Sequence, residues 1–353
     1  MFLFDIIFNG EVLDMRNIYD LTKEEFEEYF VSINDKKFRA TQIYEFLYKK
    51  RVKSIDECVN IGNNIKDKLK NDFDFYMIKL LVKQEDELVR KYLFELSDGE
   101  KIESVVMFHN YGISICVSSQ VGCNMGCKFC QSGRLKKRRN LYAYEIVEQI
   151  LLVEEDIGKR ISHVVVMGIG EPFDNYDNVL RFVKIINEPK GIDIGSRHIT
   201  ISTCGVVPGI EKFMLEKGQV NLAISLHAPN DEIRNKIMPI SKRYSLDDLM
   251  KSIKKYIYET NRRVTFEYIM LEDINDSEEN AIELSKLLKG INCYVNLIPY
   301  NETENIEFKR TKNAKIMKFY DILKKNRINV TIRKEFGSKV DAACGQLRAS
   351  QEL

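Results

Sequence analysis

The sequence predicts an α/β protein, a partial or full barrel of roughly six strand–helix units preceded by a small helical domain. Two patterns carry that expectation. Residues 21–73 alternate helical apolar spacing with short polar breaks, and from about residue 143 short buried strands and helices take turns almost to the C-terminus. Strand-like runs lie between these regions, so a domain boundary is expected between residues 75 and 100.

In the first region Phe26, Tyr29 and Phe30, then Ile43, Phe46 and Leu47, recur at helical spacing, which reads as a bundle. Next, "MIKLLVKQ", "RKYLFELSDGEKIESVVMFH" and "YGISICVSS" are apolar runs broken by the Asp98-Gly99 turn. Helices are then expected near 143–157, 175–187, 207–216, 245–258, 277–289 and 311–325. Between and after them come "HVVVMG", "HITIST", "VNLAISLH", "VTFEYIML", "CYVNLIPY" and "INVTIR". Alternation of this kind requires parallel pairing with crossover helices. The division expected is 1–75 helical, 76–108 connecting strands, 109–340 the barrel, and 341–353 a C-terminal segment.

With 353 residues the chain can bury a sizeable core. The opening "MFLFDIIFNGEVLDM" meets acidic residues too early for a signal peptide, and no stretch is long enough for a membrane span. A cytoplasmic monomer is expected. The net charge of +1 announces no nucleic-acid partner, so any such role must rest on local patches. Eight cysteines, unevenly spread, do not make the disulfide framework of a small secreted domain.

Three of them crowd into "CNMGCKFC". Cys123, Cys127 and Cys130 follow a strand, in a loop whose Gly122 and Gly126 let the backbone wrap something bulky. Thiolates are soft ligands that select zinc or iron–sulfur clusters. Three would leave one iron of a cubane open, whereas structural zinc takes four ligands, and Cys116 upstream could supply the fourth.

The spacing C-x3-C-x2-C after the first strand of a repeating β/α chain resembles the radical S-adenosylmethionine (SAM) superfamily, whose partial (β/α)6 barrel carries a 4Fe–4S cluster. "CVSSQVGCNMGCKFC", "MGIGEPFDNYDNV", "ISTCG", "ISLHAPND", "VNLIPYN" and "DAACGQLRA" are together similar to the RlmN/Cfr adenosine methyltransferases, nearer the RlmN branch. These stretches run in family order from residue 116 to 349, and "KFRATQIYEFLY" resembles the family's helical accessory domain.

The resemblance implies a cluster on Cys123, Cys127 and Cys130 that binds SAM. It implies that Cys344 accepts a methyl group from one SAM and that a second is cleaved to a 5'-deoxyadenosyl radical, so two are used per turnover. The radical takes hydrogen from the methylated Cys344, and the resulting carbon adds to adenine. Glu103 matches the base that takes the adenine proton, and Cys116 the thiol that releases the RNA by a disulfide with Cys344. Read alone, Glu103 is a solvated strand carboxylate, Cys116 a buried strand cysteine and Cys344 an unexceptional thiol.

For SAM itself, the resemblance implies contacts from Gly170 and Glu171 in "GEP", Ser202, Ser225, Leu226 and His227 in "SLH", and Asn301. Singly these are ordinary loop polarity, although strand ends are where β/α folds place ligands. No second histidine lies at metal spacing from His227, which is not assigned to a metal. Arg134, Lys136, Lys137, Arg138 and Arg139 follow the cysteines directly; such a run is commonly a solvated face, but beside this site it reads as a phosphate clamp. Lys36, Lys37, Arg39, Lys49, Lys50 and Arg51 of the helical domain extend the basic character.

The implied substrates are an adenosine of 23S rRNA near the peptidyl-transferase centre and adenosine 37 of some tRNAs. The implied helpers are an external electron donor of flavodoxin or ferredoxin type and a disulfide reductant. "QSGRLKKRR" departs from the small residue and threonine or serine usual after the last cluster cysteine. "GEP" and "HAPND" resemble the RlmN branch, which methylates carbon 2, and "EFG" the Cfr branch, which methylates carbon 8; carbon 2 is expected. Other classes compatible with the residues are a zinc-stabilised RNA-binding protein without catalysis and a radical SAM enzyme acting on a protein or small molecule.

Overall fold

The structure, a computed structural model, describes residues 15–303, 306–333 and 345–347. Of the expected C-terminal segment 341–353, only 345–347 are among the described residues. The chain divides between Tyr76 and Met77 into two compact units.

The first unit is helical. Helix α1 (Lys23–Ser32) begins at a reciprocal cap, in which the Thr22 hydroxyl accepts from the Glu25 N–H and the Glu25 carboxylate accepts from the Thr22 N–H. Helix α2 (Phe38–Glu45) runs on through a wide turn to Lys50 and stops at Arg51, whose φ of 54° is left-handed; α3 (Asn63–Asp72) follows. The positions that recur at helical spacing, Phe26, Tyr29, Phe30, Ile43, Phe46 and Leu47, are all buried, as is Tyr44. Phe26 meets Tyr44 edge-on at 5.8 Å, an arrangement that adds to the area buried.

The second unit is built on a ten-stranded sheet. Strands β1 (Lys79–Asp86), β2 (Val89–Glu95), β3 (Lys101–His109) and β4 (Gly112–Val117) pair antiparallel in succession, with the Asp98-Gly99 turn between β2 and β3. Strands β5 (Gln120–Val121) and β6 (Arg139–Asn140) form a separate two-stranded ribbon around the cysteine loop. From β4 onward the large sheet is parallel: β7 (His163–Val166), β8 (Ile199–Thr203), β9 (Asn221–Ser225), β10 (Val264–Met270), β11 (Cys293–Pro299) and β12 (Val330–Ile332) follow in chain order. Helices α4 (Ala143–Ile157), α5 (Tyr176–Asn187), α6 (Val207–Met214), α7 (Asp231–Ile237), α8 (Leu246–Thr260), α9 (Glu278–Leu287) and α10 (Asn313–Lys325) make the crossovers.

This is the expected β/α order, and among the described residues β1 and β12 are the unjoined ends of the sheet. The strands read as connections from sequence extend the same sheet, because β3 pairs with β4 from Gly112 to Cys116. Gln149, fully buried on α4, ties both strands to the helix: its Oε1 accepts from the Ser104 hydroxyl and the Ser118 N–H. Among the described residues no helix is long and apolar enough to cross a membrane.

Candidate active site

The cysteine loop is shaped by close backbone contact. At Gly122, φ is 71° and a Cβ would stand 2.3 Å from the Lys136 carbonyl oxygen, so only glycine fits. The Cys123 N–H donates to Leu135 O at 2.9 Å and the Lys128 N–H to Ile237 O at 2.9 Å, which fixes the loop against its own return strand and α7. Cys123, Cys127 and Cys130 thereby line one cavity of about 890 Å³, counting its open mouth. Burial pushes the Cys123 thiol up to about 12, and Cys127 well above its ordinary value with Cys130 and Cys123 adding to the effect.

A metal bound here must displace those protons. Among the described residues no three His, Cys, Asp or Glu side chains stand close enough to grip a single ion. Three soft donors spread along one cavity wall suit a multi-atom iron–sulfur cluster, whose ligand sulfurs stand farther apart than those around one ion. Cys204 also lines the cavity, but burial and the Glu171 charge hold its thiol well above the ordinary value.

Glu171 is locked in place at the end of β7. Its Oε1 accepts from the Phe173 N–H at 3.0 Å, its Oε2 from the Cys204 N–H at 2.8 Å, and its own N–H donates to Gln120. Burial raises its carboxyl, while those N–H donors oppose the shift. Gly170 has φ 112°, and a Cβ there would lie 2.7 Å from the Gln120 side chain.

His227 takes a left-handed φ of 58°, held by Asn275 donating to its carbonyl at 2.8 Å. The Ile269 N–H donates to Nδ1 at 3.0 Å, so Nδ1 is unprotonated and Nε2 carries the hydrogen. Burial, then the Arg234 charge, push the imidazole down to about 3. The ring is therefore a neutral donor at physiological pH.

Gly170, Glu171, Ser202, Ser225 and His227 line the cavity with the three cysteines, as does Arg333 after β12. Leu226 and Asn301 do not. Leu226 is fully buried, and its contribution is an N–H donated to Glu267 O at 3.1 Å.

Two charged residues that sequence reasoning passed over belong to this framework. Arg234, fully buried on α7, donates to the carbonyls of Cys204 and Leu226 at 2.7 and 3.2 Å and to the Ser241 hydroxyl. It ties the ends of β8 and β9 together, a role a lone arginine in a polar stretch does not advertise. Glu267, central in β10, lines the cavity; burial raises its carboxyl, opposed by the Arg333 charge and an Asn296 hydrogen bond. Its only sequence signal was a charge amid "VTFEYIML".

Cys116 and Glu103 share one face of the sheet. Cys116 stands opposite Val105 on β3, and Glu103 lies two residues along that strand, hence on the same side. Both are buried, Glu103 with Lys91 Nζ at 3.4 Å from its carboxylate. Cys116 packs with Val89, Val105, Met107, Ile169 and Leu347. Cys344 lies outside the described residues. Its successors are seated on the cysteine loop: the Gln131 N–H donates to Gly345 O at 2.8 Å and the Ser132 hydroxyl to Leu347 O at 2.7 Å.

The basic run is partly spent internally. Arg139 grips Glu145 with both terminal nitrogens at 2.8 Å and Asp98 at 2.6 Å, joining the β2–β3 turn to α4. Arg138 pairs with Glu100, and Lys137 Nζ lies 3.8 Å from Asp174. Arg134, Lys136 and Arg138 are exposed.

A β/α sheet with three cysteines in one loop beside a strand-end cavity defines a radical SAM domain, and the Radical SAM superfamily pattern matches residues 117–285. The pattern of the ribosomal RNA large subunit methyltransferase N-terminal domain matches residues 16–74. The chain is 52% identical over 342 residues to a probable dual-specificity RNA methyltransferase RlmN of Spiroplasma citri, covering 96% of this chain and 99% of that protein. A counterpart of the same description in Acholeplasma laidlawii is 51% identical over 337 residues, 95% and 99% of the two chains. The crystal structure of a radical SAM methyltransferase from Sphaerobacter thermophilus superposes with a TM-score of 0.90 at 38% identity, covering 95% of this chain and 100% of that one. The chain belongs to the RlmN family of radical SAM RNA methyltransferases.

Proposed function

We propose that the protein methylates carbon 2 of an adenosine in 23S rRNA and of adenosine 37 in some tRNAs, in the cytoplasm, by way of a methylated cysteine. When bound, the cluster and SAM supply the electron, the methyl group and the hydrogen-abstracting fragment that an unreactive ring carbon needs. Cys123, Cys127 and Cys130 would hold the cluster. Glu171 would take the amino group of SAM, and Gly170, Ser202, Ser225 and His227 its remaining contacts, with the Nε2–H of His227 as a neutral donor, whereas Leu226 and Asn301, expected from sequence, lie outside the cavity lining.

Cys344 would carry the one-carbon unit. Glu103, on the same sheet face as Cys116, would take the adenine proton. The Cys116 thiolate would then attack the sulfur of Cys344, breaking its bond to carbon and forming a disulfide. An external electron donor and a disulfide reductant are needed to complete each cycle. The exposed Arg134, Lys136 and Arg138 would contact RNA phosphates, Arg138 in exchange for its ion pair with Glu100, whereas Lys137 and Arg139 would act through the loop they brace.

The observation that carries this reading is the seating of Gly345 to Leu347, which run from the cysteine loop to the cluster of side chains around Cys116. Cys116→Ala should accumulate a covalent protein–RNA adduct detectable as a mass increase at Cys344; clean turnover by that variant would sink the disulfide step. Mass spectrometry of nucleosides from rRNA and tRNA of a deletion strain should show loss of 2-methyladenosine. Loss of 8-methyladenosine instead would reassign the ring position.

A further inference from the structure

Ser225, Glu267 and Asn296 stand in register on the adjacent strands β9, β10 and β11, a polar row of which Ser225 and Glu267 line the site. Glu267 is 5% exposed and lines the same cavity as the cluster cysteines. Asn296 Nδ2 donates to its Oε1 at 3.0 Å. Its Oε2 is buried with no hydrogen-bond partner. An acceptor shut away from water without a donor is destabilising, and a carboxylate more so than a neutral oxygen. The strand tolerates it where Ile269, the next residue on that face, is apolar and cavity-lining as well.

We propose that Glu267 binds the adenosyl group of SAM, its Oε2 accepting a hydrogen bond from a ribose hydroxyl. The inference rests on the reading that this cavity takes SAM, and adds a contact to it. Glu171 lies in the turn that follows β7 and Glu267 on β10, with β8 and β9 between these strands in the sheet. A ligand whose amino group goes to Glu171 therefore turns its other end toward Glu267, beside Ser225. With Oε1 already occupied by Asn296, the free oxygen suits a single donor such as one hydroxyl of a sugar.

The test uses the anaerobically reconstituted, cluster-loaded full chain, with SAM and its 2'-deoxy and 3'-deoxy analogues as ligands in equilibrium dialysis. Wild-type protein should bind SAM and lose about tenfold or more in affinity toward one deoxy analogue. Glu267→Ala, and the size-matched Glu267→Gln, should bind SAM about tenfold or more weakly at unchanged iron content, and Glu267→Ala should no longer discriminate against that analogue. If the variants bind SAM as the wild type does, or still discriminate, the contact is refuted. A variant that keeps SAM affinity but loses RNA affinity refutes it too and gives the carboxylate to the target nucleotide. Failure of the wild type itself to bind SAM would instead overturn the underlying reading of the cavity.

Discussion

His227 is placed by its neighbours more than by its own preferences. Its imidazole, held near 3, lies below the roughly 6.5 of an exposed one, so between those values the unfolded chain takes a proton that the folded chain refuses. Stability from this residue is therefore present above about pH 6.5 and lost as pH falls, at up to about 1.4 kcal/mol per pH unit. His227→Gln binds no such proton. In urea denaturation the stability gap between wild type and variant should be widest near neutrality and shrink steadily toward pH 4; a constant gap would mean the ring is not held neutral. Single residues also mark the limit of sequence reading. Arg234 is fully buried and Glu267 nearly so, although both types normally sit in water, and only the three-dimensional convergence of carbonyls and strands reveals their partners.

At the scale of elements, the cysteine loop behaves as a preformed bracket. Gly122 is its tightest point, because any side chain would collide with the Lys136 carbonyl across the ribbon of β5 and β6. Gly122→Ala should fold, since the sheet does not depend on that residue, but its iron content after anaerobic reconstitution should fall to well under half that of the wild type. Full loading would show that the loop relaxes without cost. Elements with a strong period were legible: α4 spans Ala143–Ile157, as its apolar spacing predicts, and the parallel strands read as short apolar runs because helices cover them. Helix α7 and the β5–β6 ribbon were not, being too short to establish a period. The partnership of β3 with β4 was also hidden, since an antiparallel hairpin looks the same in sequence whether it connects domains or widens a sheet.

Over the whole molecule, the two units carry different features. The unit from Met77 contains the cysteines of the loop, Glu103, Cys116 and the cavity, whereas the unit ending at Tyr76 has its own aromatic core and matches the RNA methyltransferase N-terminal pattern. A chain starting at Met77 should load iron and cleave SAM within about threefold of the full-length rate, while methylation of rRNA fragments drops by at least tenfold. Equal methylation would deny the first unit a part in recognition. The motifs of the candidate site could be read from sequence because each is one contiguous stretch, "CNMGCKFC" and "MGIGEP". The nearness of Cys116 to the C-terminal region came only from the family resemblance, because more than two hundred residues separate Ser132 from the Leu347 carbonyl it binds, and no local pattern links them.

That last hydrogen bond, with its companion from Gln131 to Gly345, couples two distant parts of the second unit's sequence at the cysteine loop. The seat of residues 345–347 is part of the cysteine loop, so a change that reshapes the loop is felt by a segment more than two hundred residues further along the chain.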